Sequence, residues 1–274
     1  MTPSQKKIKM FANSLAVVLI ALIFISVAVV VFLMTGGISL TNTLFGESSE
    51  TEFSQVYENV ENLEIDVNYA NLNVVSGDSF KVDATYSDMI KVINVDNTLL
   101  IEEVSTLLEA GKNGSITVYI PDSVTLKEFK LDSNLAAVTV ENIKCNELNV
   151  DVETGKTVIN SVTATDKAEI ESGTGEFVIN SAELNNLSFD GGIGKATLSG
   201  RVYGASEIEC GELNIILTGA ATDYTIKGKA GTGIVVIDGN EVDGSFNLDG
   251  GSDLIHLKGG VGAVDISFQD KSAT

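Results

Sequence analysis

The chain of 274 residues has no tryptophan, one histidine, one arginine, two cysteines and two prolines. Each scarcity removes a class of reading. Cys145 and Cys210 are 65 residues apart, a spacing that matches neither a compact zinc motif nor a C-x-x-C redox pair. Neither lies near the N-terminal apolar run, so no lipoprotein anchor site is present there. The lone His256, in Asp253-Leu254-Ile255-His256-Leu257, comes without an aligned nucleophile and acid, so no hydrolytic triad is visible. Positive charge is also scarce: 17 Lys and Arg stand against 38 Asp and Glu, a formal net charge of −21. A surface this negative repels phosphate backbones, which argues against nucleic-acid binding. Anionic lipid headgroups repel it too, so a domain carrying it should project away from a bilayer.

The charge is unevenly placed. Every acidic residue lies at or after Glu47, whereas Lys6, Lys7 and Lys9 precede a long apolar run; the remainder holds 14 basic against 38 acidic residues, or −24. From Phe11 to Met34 the run contains no charged residue. Its 24 residues would span about 36 Å as a helix, enough for a hydrocarbon core of about 30 Å. A cleaved signal peptide would have a shorter apolar core and a small-residue site after it, and Thr35-Gly36-Gly37 fits that poorly. The expectation is an uncleaved signal anchor: residues 1–10 as a cytoplasmic tail, 11–34 as a transmembrane helix, 35–54 as a solvated linker. Residues 55–268 would form the outer domain and 269–274 a tail. The preceding lysines place the N-terminus inside and the C-terminal domain outside a cell membrane crossed once.

What is present in abundance is glycine, with 26 residues, and a repeat. Leu148-Asn149-Val150 leads to Gly155 and Val158, Ala168-Glu169-Ile170 to Gly175 and Val178, and Leu187-Ser188-Phe189 to Gly194 and Leu198. Ile208-Glu209-Cys210 leads to Leu217. The steps Leu148 to Ala168 to Leu187 to Ile208 are 20, 19 and 21 residues, and Val150, Ile170, Phe189 and Cys210 repeat them. Phe129 stands 19 residues before Leu148. Self-similarity at this period, with two-residue alternation inside each unit, predicts an all-β parallel β-solenoid with rungs of about 20 residues. Earlier strands are expected at Leu63–Val67, Asn71–Val75, Phe80–Ala84, Leu99–Val104 and Ser115–Ile120, with a loop or short helical turn at Leu107–Asn113. The irregular region before Phe129 is expected to cap one end of the stack and the segment near Phe268 the other. Cys210 should point inward in the column of Val150, Ile170 and Phe189. Three rungs at ~4.8 Å set the two cysteines roughly 14 Å apart, too far for a disulfide. Asp151, Glu171 and Asp190 should lie in one outward file.

These strands and turns resemble a known family. Leu63-Glu64-Ile65-Asp66-Val67, Ile116-Thr117-Val118-Tyr119-Ile120-Pro121, Gly173-Thr174-Gly175-Glu176-Phe177-Val178-Ile179 and Gly259-Gly260-Val261-Gly262-Ala263-Val264-Asp265-Ile266-Ser267-Phe268 resemble the "putative adhesin" β-strand-repeat domain of unknown function, carried by many Gram-positive membrane proteins. The resemblance covers residues 55–268. It implies adhesion and supplies no catalytic residues.

No catalytic, cofactor-binding or metal-binding residue is assigned. Gly173-x-Gly175 and Gly231-x-Gly233 open no helix and read as β-turns. Asp249-Gly250-Gly251-Ser252-Asp253 has oxygen ligands suited to calcium but lacks the repeated nonapeptide pattern, so it reads as a solvated turn. The leading expectation is a non-enzymatic, membrane-anchored surface protein for adhesion, envelope contact or assembly, with an unknown envelope polymer or membrane protein as partner. The alternatives are an envelope-stress sensor acting through a membrane partner and, third, a polysaccharide-active enzyme.

Overall fold

The structure is a computed structural model and describes residues 52–85, 89–104, 114–229 and 231–269, with the side chain of Cys210 outside that description. All of them belong to one compact unit, Glu50–Thr274. The expected cytoplasmic tail, the apolar segment 11–34, the loop at Leu107–Asn113 and residues 270–274 lie outside the described residues, as does most of the expected linker. Among the described residues, no helix is long and apolar enough to cross a membrane.

The fold is all-β. Eight strands open the unit: β1 (Glu52–Tyr57), β2 (Asn62–Val67), β3 (Asn71–Gly77), β4 (Phe80–Thr85), β5 (Ile90–Val95), β6 (Thr98–Glu103), β7 (Ser115–Pro121) and β8 (Leu126–Ser133). The chain then stays extended through β9 (Ala137–Asn185), whose corners show as left-handed backbone at Asn142, Gly155, Ser161 and Ser181. Next come β10 (Leu187–Asp190), β11 (Lys195–Tyr203), β12 (Ala205–Cys210), β13 (Glu212–Thr218) and a 3-10 turn at Ala221–Asp223. The last strands are β14 (Tyr224–Lys229), β15 (Ile234–Ile237), β16 (Asn240–Val242), β17 (Ser245–Leu248), β18 (Asp253–Gly259) and β19 (Ala263–Gln269). All 19 strands join in one sheet, wrapped nearly closed around a single apolar core.

Period-two alternation sends every second side chain into that core. In β2, Leu63, Ile65 and Val67 are buried, while Asn62, Glu64 and Asp66 face outward. Parallel pairing then stacks like on like. Leu131 sits beside Val150, Ile170 beside Phe189, and Phe189 beside Ile208. Within β9 the offset is 20 residues, seen where Thr154 bonds Thr174 and Asn180 bonds Asn160. Each stacked Leu, Val, Ile or Phe side chain, fully buried, stabilises by roughly 1.5–3 kcal/mol.

Two register expectations need correction. Cys210 does not continue the column of Val150, Ile170 and Phe189; Ile208 does, and the Cys210 backbone pairs with Gly259. The residue opposite Leu187 is the buried Ser206, whose hydroxyl accepts the Leu187 N–H. Leu198 does not continue Val178 either. It lies beside Ile179 and Ile215, and Val178 is an outward, half-buried neighbour of Thr197. One residue of slip exchanges the two faces of a strand, and Val178-Ile179 offers an apolar side chain to both.

The rungs do not stack in sequence order. β2 and β3 lie between β6–β7 on one side and β8–β9 on the other. At the opposite end, β18 and β19 lie between β12–β13 and β14–β15. The segment near Phe268 is therefore interior to the stack, contrary to its expected capping role. The ends are closed by antiparallel strands instead: β5 on β6 and β4 on β7 at one end, β17 on β14 and β16 on β15 at the other. Short, largely exposed outer strands such as β5, β16 and β17 offer little edge for recruiting further strands. Bringing residues 66 apart into register, as at Lys130 and Glu64, adds only about 1 kcal/mol of loop-closure entropy over the 19-residue step.

Glycine has two separate duties in the turns. Gly155 and Gly192 have positive φ, which a glycine adopts without steric cost. Gly173 and Gly194 do not. There a Cβ would come within 2.6 Å of the Glu153 carbonyl oxygen and 2.7 Å of that of Gly175, so close rung-on-rung approach is the reason.

Candidate functional site

The outward side of the β2, β8, β9, β10 and β12 series carries the protein's most distinctive surface. In-register pairing continues the expected file of Asp151, Glu171 and Asp190 in both directions. Glu102 lies beside Asp66, Asp66 beside Asp132, and Asp132 beside Asp151. Glu171 lies beside Asp190, and Asp190 beside Glu209. With the 20-residue offset inside β9 joining Asp151 to Glu171, seven carboxylates follow one another at about 4.8 Å. Burial, the Asp132 charge and then the Glu102 charge push the Asp66 carboxyl above its ordinary value. Burial, Asp132 and Glu153 do the same to Asp151. Lys130 relieves part of the strain, its Nζ lying 2.9 Å from Glu64 and 3.0 Å from Asp132, and those bonds hold its own pKa up.

The carboxylates run in a line. No three acidic, histidine or cysteine side chains converge to hold a metal ion among the described residues. The file should instead act on stability. Asp66 and Asp151 bind protons more tightly folded than unfolded, so their ionisation costs stability as pH rises through the raised values, and the cost is absent at lower pH. Removing one of two like charges placed side by side stabilises by roughly 0.2–1 kcal/mol. D66N and D151N are therefore expected to melt higher than the parent at pH 7, and added salt should raise the parent more than either variant. Differential scanning calorimetry at low and high ionic strength checks this; equal melting temperatures throughout would refute it.

Two charged groups, the buried Glu103 and the half-buried Arg201, lock the out-of-order rungs, and the sequence reading assigned neither a role. Glu103, at the end of β6, is 6% exposed. Its Oε2 accepts the backbone N–H groups of Asn68, Tyr69 and Ala70 at 2.8, 2.8 and 2.9 Å, pinning the corner between β2 and β3. At the other end Arg201 donates to Asp223 at 2.9 Å and to Asp253 at 2.6 Å. Its guanidinium lies 4.6 Å from the ring centroid of Tyr224, and Asp253 also accepts the Gly204 N–H. Burial pushes the Tyr224 phenol up to about 12, and its hydroxyl donates to the Thr218 carbonyl. The signal for this lock was the presence of a single arginine in an acidic β-chain. Asp253 is thereby committed to Arg201, and Asp249 accepts a hydrogen bond from Asn247, so the acidic turn serves internal contacts.

The chain matches no family model and no curated protein. It is similar to a solved structure of a "putative cell adhesion protein" from Clostridium sporogenes, at 16% identity and a TM-score of 0.38, over 81% of this chain and 100% of that one. Adhesins so described from Bacteroides fragilis (15%, TM-score 0.40, 81% and 99%) and Parabacteroides distasonis (15%, TM-score 0.41, 81% and 98%) are alike at the same level. Likeness this distant assigns no role to the chain.

The remaining residues singled out in the sequence are placed as follows. His256 is exposed on β18, in register with Glu207 on one side and Lys227 on the other. Cys145 is a buried free thiol whose Sγ lies 3.6 Å from the Thr163 carbonyl oxygen, and burial pushes it up to about 12. A thiol held protonated in this way is a core side chain with little nucleophilic character. Open clefts occur at Ser54, Asp83, Thr85, Ser115 and Thr117, and at Lys227, Lys229, Ser245, His256 and Lys258.

Proposed function

We propose that this chain is a membrane-anchored, extracytoplasmic β-solenoid that acts without catalysis, in adhesion or another contact with the cell envelope. The observation that carries the reading is the unbroken parallel register from β8 to β12, with neighbouring rungs 19 or 20 residues apart. Stacked strands of this kind hold outward side chains at fixed spacing over a long surface, which suits recognition of an extended partner. The lysines before Phe11 and the charge-free run to Met34 support an anchor with the N-terminus inside. The strongly acidic remainder supports a domain held off the lipid surface.

The test is retention of the full chain on purified cell-envelope polymers, with partners captured by in vivo crosslinking and mass spectrometry. Polymer retention together with protease sensitivity of the domain on intact cells is the expected result. Capture of a single membrane protein without polymer binding, or turnover of a wall glycan, would overturn it.

A further inference from the structure

We infer that the β14–β17–β18 end of the stack carries an oxyanion-binding cleft, built by Lys227, Lys229, His256 and Ser245, for a phosphate or carboxylate group. Among the described residues, Arg201 and eight of the eleven lysines have a carboxylate partner. Lys144 has none but donates to the Asp122 carbonyl oxygen. Among the described residues, Lys227 and Lys229 have neither an ion pair nor a side-chain hydrogen bond, although the chain holds 38 acidic residues against 17 basic ones. Their register explains why. Lys227 lies between His256 and Asn247, and Lys229 between Lys258 and Ser245. The sheet thus sets two lysines of neighbouring strands side by side, an arrangement that costs stability unless an anion joins them.

The two lysines open onto a cleft of about 340 Å³ lined also by Glu207, Gly228, Ser245, His256, Leu257 and Lys258. That volume lies at the low end of small-ligand sites, which run from roughly 300 to 1,000 Å³, so it suits one anionic group with about one sugar-sized unit attached. Lys258 is already held by Glu207 and, at 3.7 Å, by Glu209. Glu207 forms the acidic rim of the cleft, and Lys227, Lys229, the Ser245 hydroxyl and the imidazole N–H are left as donors. At a Debye length of about 8 Å in physiological salt, the rest of the acidic file is largely screened from a ligand there. The inference stands whatever molecule carries the anion, and so does not depend on the adhesive reading.

His256 is the only histidine, so its imidazole signals are a unique probe of the cleft in the full chain. The experiment follows its Cε1–H resonance while inorganic phosphate, glucuronate or a glycerophosphodiester is added at fixed pH and ionic strength, with chloride as control. Saturable shifts are expected with at least one oxyanion and not with chloride. The pattern among the three probes separates phosphate, carboxylate and phosphodiester sources. K227Q/K229Q should weaken binding by about tenfold or more, as loss of charge-assisted contacts does, and K144Q should leave it unchanged. S245D, which sets a carboxylate directly opposite Lys229, should abolish binding and raise the melting temperature, giving a second variant that keeps the fold. No saturable response to any oxyanion, or equal loss in K144Q and K227Q/K229Q, would overturn the site.

Discussion

Replacing Arg201 with methionine is expected to lower the unfolding free energy by about 2–4 kcal/mol, somewhat below the cost of leaving a fully buried charge without its partner. Asp253 is the group left behind. Its side chain is 13% exposed, and it faces a guanidinium that is 19% exposed, so water replaces the lost contact only in part. Asp223 is more open, at 43%, and is expected to contribute under about 1 kcal/mol, so D223N should be mild. For a domain of this size the R201M loss corresponds to a fall in melting temperature on the order of 10 °C. R201K should fall between, because an ammonium keeps the charge but cannot reach both carboxylates with a planar fork. The double variant R201M/D253L removes both charges and should recover part of the loss. Thermal and urea unfolding of the four variants check the series, and an R201M protein melting within a degree of the parent would show that the pair contributes nothing.

The lock and the rungs it holds differ in how far they could be read from sequence. Alternation in Leu63-Glu64-Ile65-Asp66-Val67 fixes which side chains face the core, and the 19- and 20-residue steps from Phe129 to Phe189 fix their neighbours, because turn length sets register. The step into β12 was misread because its inward partner for Leu187 is Ser206. A serine in an apolar column breaks the pattern, and only the Leu187 N–H that it accepts makes it tolerable there. Order along the stack was not legible at all. The inward face of β2 packs as well against β6 as against β8, since Leu63 meets Leu99 on one side and Phe129 on the other. Periodicity reports distance along the chain, whereas intercalation depends on pairings 36 and 66 residues apart that leave no local mark. The acidic file was legible for Asp151, Glu171 and Asp190, inside the regular repeat. Its continuation through Asp66 and Glu102 follows from the intercalated rung, and so was not.

Truncating the chain after Ser252, which removes β18 and β19, is expected to abolish cooperative unfolding. In a stack built in sequence order the last rung is an end piece with one neighbour. Here it has two, so its loss uncovers Ile208, Leu213 and Ile215 on one side and Ile226 and Val235 on the other. The removed segment itself buries Ile255, Leu257, Val264 and Ile266. At roughly 1.5–3 kcal/mol each, those four side chains amount to about 6–12 kcal/mol, comparable with the 5–15 kcal/mol that stabilises a whole domain. Strands β14 to β17 would also lose their parallel link to the rest of the sheet, leaving two antiparallel hairpin contacts that do not hold alone in water. The point variants L257D and V56D make the matching comparison: Leu257 is 1% exposed on an intercalated strand and Val56 is 55% exposed on the edge strand β1. L257D should behave like the truncation, and V56D should melt like the parent. A truncated chain that kept a sharp transition within a few degrees of the parent would mean that β18 and β19 add to a stack already complete without them. The intercalated order would then have no structural consequence.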